Sequence, residues 1–129
     1  MKAQGTMEFV MIFVILLLAL SLGAWMSLQK SAEISRAKLA LESGMILDDV
    51  AGKINTALLE GSGFRVKAFL PDKISGIDYS IAVRANTVVI SFSSGIDYFK
   101  KFLTQNITGS FVRGVNIIEN LGGTIRITQ

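Results

Sequence analysis

One uncharged stretch near the N-terminus limits what this chain can fold into. From Phe9 to Gln29 there are 21 consecutive residues without a charge, and no polar side chain occurs between Phe9 and Leu20. In an α-helix such a stretch rises about 30 Å, which is the thickness of the hydrocarbon core of a bilayer. Trp25 lies near its far end, where an amphipathic ring suits a membrane interface. The stretch therefore predicts a membrane-spanning helix.

Two plainer interpretations of this stretch are a cleaved secretory signal and a simple single-span anchor. A secretory signal has a shorter apolar region followed by a small-residue cleavage site, and residues 28–31, Leu-Gln-Lys-Ser, make a poor site. The single-span anchor is the stronger alternative. Basic residues flank both ends, with Lys2 before the stretch and Lys30, Arg36 and Lys38 after it. The positive-inside rule therefore does not favour a cytoplasmic N-terminus.

The composition argues against catalytic chemistry. The chain has neither His nor Cys, so it lacks the commonest general base, thiolate metal ligands and any disulfide. No Ser has a recognisable base, and we predict no catalytic residues, no cofactor and no metal site; the chain is not expected to be an enzyme. The net charge of +3 is too mild to indicate nucleic-acid binding. Lys100 and Lys101, with the neighbouring aromatic residues, are interpreted as the solvated face of a short amphipathic helix.

Glu8 is unusual because it directly precedes the apolar stretch. A carboxylate at the edge of hydrocarbon is unfavourable unless it reaches the interface or meets a cation. One interpretation is that Thr6 caps the helix and Glu8 lies in its first turn, where a negative charge suits the macrodipole. The other is that Glu8 pairs with a positive charge on another chain. The sequence does not separate the two.

The residues around Glu8 resemble a known processing signal. Gln4-Gly5-Thr6-Met7-Glu8-Phe9 follows the short leader 1–3 and precedes about 20 apolar residues. This arrangement resembles the class III signal peptide of archaeal type IV pilin-like proteins, which is written Gln-x-Ser-x-Glu followed by a hydrophobic helix. Thr6 stands where that family usually has Ser, and Ala3 where it most often has Gly. The resemblance is specific over residues 1–30.

The resemblance implies processing and assembly. A prepilin peptidase would cut between Ala3 and Gln4, the apolar helix would be retained, and the new amine of Gln4 would approach Glu8 of a neighbouring subunit. The implied partners are the prepilin peptidase, identical or related pilin subunits, the pilus assembly platform and, before assembly, the membrane. The implied product is a cell-surface filament for adhesion, with the C-terminal domain outside the cell. The alternative is a non-polymerising single-pass membrane protein whose exported domain binds a ligand or partner.

Downstream of the apolar stretch, the sequence predicts that the helix continues to about Glu60. Residues 31–59 contain no Pro and are rich in Ala, Leu, Glu and Lys. The apolar residues that recur at every fourth position are Ile46, Val50, Ile54 and Leu58. They predict one apolar stripe, and Gly61-Ser62-Gly63 predicts the end of the helix.

Strand patterns dominate the remainder. The predicted strands are residues 65–70, 79–84, 88–93, 115–120 and 124–128, with hairpin turns at Ala85-Asn86 and Gly122-Gly123. Ile125 and Ile127 are predicted to point inward. Without disulfides, the sheet must bury its apolar face on the helical stripe. We therefore predict an α+β fold, in which a small antiparallel sheet packs on the C-terminal half of one long pilin-type helix.

These patterns divide the chain into four segments. They are a leader (1–3), a hydrophobic transmembrane or filament-core helix (4–29), an amphipathic continuation (30–60) and a β-rich exported head (61–129).

Asn106-Ile107-Thr108 is the only Asn-x-Ser/Thr triplet in the sequence without Pro. On an exported domain, Asn106 is a candidate for N-glycosylation.

Overall fold

The computed structural model describes residues 2–104 and 106–129, and it contains one long helix followed by strands. The chain divides into two compact units, one ending at Ala37 and the other running from Lys38 to Gln129. The helix α1 spans Lys2–Glu60, so the boundary between the units falls within it. The strands are β1 (Arg65–Leu70), β2 (Tyr79–Arg84), β3 (Thr87–Phe92), β4 (Asp97–Lys101), β5 (Ile107–Thr108), β6 (Gly114–Leu121) and β7 (Thr124–Thr128).

The strands form two sheets where one was expected. The first sheet has the order β1-β6-β7-β5, with antiparallel pairs except for β5 and β7, which are parallel. The second sheet is the antiparallel meander β2-β3-β4. The predicted α+β class with a long N-terminal helix is confirmed. The division into two sheets escapes sequence reasoning because alternation identifies a strand's buried face without identifying its partner.

The core of the second unit lies between one side of α1 and the two sheets. Val50 and Ile54 are fully buried, and Ile46 and Leu58 pack against the core from its margin. The predicted stripe is therefore confirmed. Further helical residues complete this side of the core: Leu39, Leu47, Ala51 and Ala57. Ile125 and Ile127 of the terminal hairpin point inward as predicted.

Two local predictions need correction. The stretch that contains Lys100 and Lys101 is the strand β4 and not an amphipathic helix, because it pairs with β3 along its whole length. This pairing overrides the weak helical pattern. The hairpin at Ala85-Asn86 is confirmed, but the positive φ expected of Asn falls on Ala85, at 51°. A left-handed Ala costs about 1–2 kcal/mol, so the turn is held by the pairing of β2 with β3.

Asn120 joins the end of α1 to the terminal hairpin. Its Nδ2 donates to the carbonyl oxygen of Ala57 at 2.9 Å, and its Oδ1 accepts the N–H of Gly123 at 2.8 Å. The side chain is almost fully buried. The last turn of a helix leaves carbonyl groups without intrahelical partners, and here a side chain from β6 satisfies one of them.

Glu119 lies on the outward side of β6 but is shielded by two arginines. Its carboxylate oxygens accept hydrogen bonds from Nε of Arg65 at 2.6 Å and from Nη2 of Arg126 at 2.9 Å. These bonds hold the pKa of Glu119 below its ordinary value.

The pKa of Glu42 on α1 is also lowered, chiefly because the hydroxyl of Ser75 donates to its carboxylate at 2.7 Å.

Replacing Asn120 with Ala should destabilise the second unit by about 1–3 kcal/mol, because the buried carbonyl oxygen of Ala57 loses its partner and the N–H of Gly123 loses its acceptor. The measurement is chemical unfolding of the purified full chain in detergent. The control is Asn86→Ala, whose side chain makes only a 3.5 Å contact with the hydroxyl of Thr87, and its effect should stay below about 0.5 kcal/mol. Equal effects of the two substitutions would contradict the role assigned to Asn120.

The ion pairs of Glu119 predict that stability falls in acid. The pKa of Glu119 is lower in the folded protein than its ordinary value of 4.5. Its ion pairs therefore stabilise the folded state fully above that pH, and this stabilisation is lost as the pH falls through the lowered pKa. Glu119→Gln should flatten the decline in stability below this pH, measured as the unfolding midpoint against pH. Glu33→Gln, an exposed position on the first unit, is the control. A decline as steep in Glu119→Gln as in the unmodified chain would contradict the assignment.

Candidate functional site: the exposed apolar helix

The first unit presents apolar side chains that none of its own described residues covers. Every described side chain from Gln4 to Ala37 is exposed. The large apolar side chains between Met7 and Leu28 keep 48–75% of their surface accessible. Among the described residues, α1 is the helix long and apolar enough to cross a membrane, and its apolar part is not a core helix of the protein. An exposed apolar surface of this length makes α1 a candidate membrane span.

One polar side chain within the apolar stretch, that of Ser21, is compatible with an apolar environment. The hydroxyl of Ser21 donates to the carbonyl oxygen of Leu17 at 2.8 Å, so this hydroxyl is satisfied within the helix. A Cβ at Gly5 or Gly23 would meet no atom within 4 Å beyond the adjacent residues and the neighbouring backbone of its own helix. The chain's own packing therefore does not require these glycines, and each leaves a notch that a neighbouring helix can enter.

The position of Glu8 removes one of its two interpretations. The helix begins at Lys2, and its first turn contains no acidic residue. Thr6 lies within α1 and not before it, so its interpretation as a cap is wrong for the full chain. If the chain began at Gln4, Glu8 would still lie one full turn inside the helix. Gln4 and Glu8 share one face because they are four residues apart. The favourable position in the first turn is therefore not what accounts for Glu8.

Asn106 occupies an accessible position in the second unit. Its carbonyl oxygen accepts the N–H of Ile125 at 2.9 Å, and its own N–H donates to the hydroxyl of Thr104 at 3.1 Å. These backbone bonds fix the residue, while the side chains of Asn106 and of Thr108, in the edge strand β5, are exposed. The triplet thus has the surface position that modification requires.

A surface that sequence reasoning missed lies on the outward side of the first sheet. Phe69 on β1 lies directly opposite Val115 on β6, and both are exposed. Alternation along each strand marks these residues as outward-facing, but only the register of β1 against β6 places them side by side.

Two further surface features of the second unit are an ion pair and a shallow cleft. Lys100 donates to Asp48 on α1 at 2.7 Å, which gives one of the two predicted solvated lysines a structural partner. A shallow cleft beside β2 is lined by Asp78, Tyr79, Ser80, Ser91, Phe92 and Ser93. Over the described ranges, 2–104 and 106–129, no three His, Cys, Asp or Glu residues are grouped to hold a metal ion.

No family model, curated protein or solved structure matches this chain.

If the domain is exported in a host that glycosylates Asn-x-Ser/Thr triplets, Asn106 should carry a glycan. Intact-mass analysis of the native protein should then show a mass above that of the polypeptide. Thr108→Ala should remove the added mass, whereas Thr108→Ser, which keeps the hydroxyl, should retain it. An unmodified mass for protein recovered from the surface of such a host would contradict this assignment.

Proposed function

We propose that this chain is a structural subunit, a major or minor pilin, of an archaeal type IV pilus-like surface filament. Processing before Gln4 would remove the first two residues of α1 and retain the rest of the helix, which anchors the subunit in the membrane and then packs among the helices of its neighbours. The observation that carries the proposal is the wholly exposed apolar surface of the first unit, directly preceded by the motif Gln4-Gly5-Thr6-Met7-Glu8.

Packing between helices drives the assembly in this proposal. Transfer from lipid to a bundle of apolar helices gains little from the hydrophobic effect, because lipid tails are also apolar. The gain comes from van der Waals contacts, which small residues increase by allowing close approach. Gly5 and Gly23 supply notches on the exposed helix, and Ala19 and Ala24 add little bulk.

Glu8 supplies the specificity of that packing. Inside a bundle of apolar helices, an unpaired carboxylate is strongly unfavourable. The amine of Gln4 on a neighbouring subunit is the cation that processing would create at the same depth. A matched pair fixes the axial position of one helix against the next, whereas a mismatched one leaves two charges unpaired.

The second candidate is a single-pass membrane protein that never polymerises. The apolar stretch alone favours it equally, because any anchor needs such a helix. Glu8 favours the filament subunit, because a neighbouring subunit would supply a cation for its carboxylate, whereas a simple anchor can only place the carboxylate at the interface.

The mature N-terminus tests the processing step. Mass spectrometry of the native protein should find a chain that begins at Gln4 and keeps the apolar helix. A chain that still begins at Met1 would favour the simple anchor and contradict the proposal.

Glu8→Leu tests the assembly step. The variant should insert into the membrane normally but form no filaments, because the neighbour's amine loses its partner. Electron microscopy of surface filaments and membrane fractionation are the two measurements. Glu33→Leu is the matched control, since Glu33 is exposed on the same helix but lies beyond the apolar stretch. Filaments of normal number and length in Glu8→Leu would overturn the proposed role.

A further inference from the structure

The strand β4 places its two neighbouring lysines on opposite sides of the second sheet, because successive side chains of a strand alternate. Lys100 points toward α1, where its Nζ donates to the carboxylate of Asp48 at 2.7 Å. Lys101 points to the outward side and is exposed. Within the described part of the chain, Lys101 forms no ion pair.

The register of the second sheet arranges its outward side in rows. Val88, Ile90 and Phe92 of β3 are buried, so the alternate residues of β3 and their partners on β2 and β4 face outward. These outward residues form three rows across the strands: Arg84, Thr87 and Lys101; Ala82, Val89 and Phe99; and Ser80, Ser91 and Asp97. We call the first of these the cationic row and the second the apolar row.

The cationic row lacks a counter-charge. Like Lys101, Arg84 has no ion pair among residues 2–104 and 106–129. The carboxylate on the same side of the sheet, that of Asp97, lies about 13 Å from Lys101 along β4. This separation exceeds the Debye length of about 8 Å at physiological ionic strength. Two cations spaced about 10 Å apart across the sheet are therefore available to an external anion.

The first sheet differs in this respect. Its outward arginines, Arg65 and Arg126, both bond to the carboxylate of Glu119. One acidic side chain of the protein thus already occupies two of the cations there. The second sheet offers its two cations without such competition.

The apolar row lies directly beside these cations. Phe99 keeps 66% of its surface accessible, and Leu103, two residues beyond the end of β4, keeps 68%. Exposed apolar side chains beside cations suit the surface of an anionic bilayer. The apolar groups enter the headgroup region, while the ammonium and guanidinium groups meet lipid phosphates.

The sequence keeps the second unit near such a surface once α1 is anchored. The apolar stretch ends at Gln29 and the second unit begins at Lys38, so eight residues, 30–37, join them. Even when fully extended, eight residues span at most about 30 Å. A tether of this length gives the bilayer a high effective concentration at the second unit, which an anion free in solution does not have.

We propose that the cationic and apolar rows of the second sheet bind the anionic lipid surface of the membrane that holds α1. Arg84 and Lys101 contact lipid phosphates, and Phe99 enters the headgroup region. The inference rests on the membrane-anchored stage of the proposed function. It goes beyond that function by giving the second unit its own contact with lipid before assembly.

Protection of a single cysteine tests this contact in the full chain, which has no native cysteine. Ala82→Cys places a thiol in the apolar row with little change in bulk, and Val115→Cys, on the outward side of the first sheet, is the control. Each variant is reconstituted in nanodiscs of phosphatidylglycerol with phosphatidylcholine, or of phosphatidylcholine alone, and treated with a water-soluble maleimide. Ala82→Cys should react roughly fivefold more slowly in the anionic nanodiscs, whereas Val115→Cys should react equally fast in both. Equal rates of Ala82→Cys in the two lipids, or equal slowing of Val115→Cys, would overturn the proposal.

Removing the charges tests the electrostatic part. Lys101→Gln should speed the reaction of Ala82→Cys in anionic nanodiscs roughly twofold, and adding Arg84→Gln should abolish the difference between the lipids. Lys100→Gln is the matched control, because it removes the same charge from the adjacent residue on the other side of the sheet and loses only a surface ion pair. Equal effects of Lys100→Gln and Lys101→Gln would contradict the assigned contact.

Single-stranded nucleic acid is another anionic polymer that cations beside an aromatic side chain suit. An oligonucleotide added to the phosphatidylcholine nanodiscs tests it with the same thiol. If the oligonucleotide slows the reaction of Ala82→Cys and anionic lipid does not, the second sheet binds nucleic acid and the proposal fails.

The same samples separate this inference from the proposed function. Incorporation into nanodiscs reports on α1, whereas the reaction rate reports on the second sheet. An incorporated chain with an unprotected Ala82→Cys would refute only the contact with lipid. Protection in a protein that keeps Met1 and forms no filaments on cells would refute only the pilin assignment. A chain that does not incorporate would refute both.

Discussion

The exposed apolar surface of α1 in the first unit is unfavourable in water, and this constraint separates it from the rest of the molecule. From residue 4 to residue 37 the helix makes no contact that buries its side chains, and its large apolar residues have about half or more of their surface open. Lipid or other apolar helices are the environments that such a surface suits. In the second unit, by contrast, the two sheets cover the apolar side of α1. One helix thus serves two purposes, as an internal core element and as an external surface to be covered.

The second unit reaches a defined structure without disulfides through contacts that connect distant parts of the chain. Asn120 links β6 to the last turn of α1, and Glu119 links β6 to β1 and β7 through two arginines. Glu42 binds both the N–H and the hydroxyl of Ser75, in the loop between β1 and β2. Asn120 and Glu42 fix how α1 meets the rest of the unit, whereas Glu119 ties three strands of the first sheet together on its outward side.

Much of this fold follows from local patterns, and the rest depends on pairing. The period of Ile46, Val50, Ile54 and Leu58 predicts the buried side of α1, and alternation predicts β1 over its full length, because both patterns report which side of an element meets the core. The two sheets, the strand β4 and the two-residue β5 could not be predicted in the same way, since each depends on partners far along the chain. In the candidate site, sequence identifies Gln4, Glu8 and Asn106. That Phe69 lies opposite Val115 follows only from the register of β1 against β6, which the sequence does not give.

The order of strands in the first sheet also bears on how the chain matures. The strand β1 has β6 as its neighbour, although β2 to β5 all lie between them in the chain. During synthesis or translocation, β1 therefore waits without a partner until Gly114–Leu121 has emerged, and the amide of Asn120 reaches the helix only then. Pairing two strands as far apart in the sequence as β1 and β6 is slow compared with forming the meander β2-β3-β4. The meander can form early, whereas the first sheet is completed late, and β1 keeps an unpaired edge in the interval.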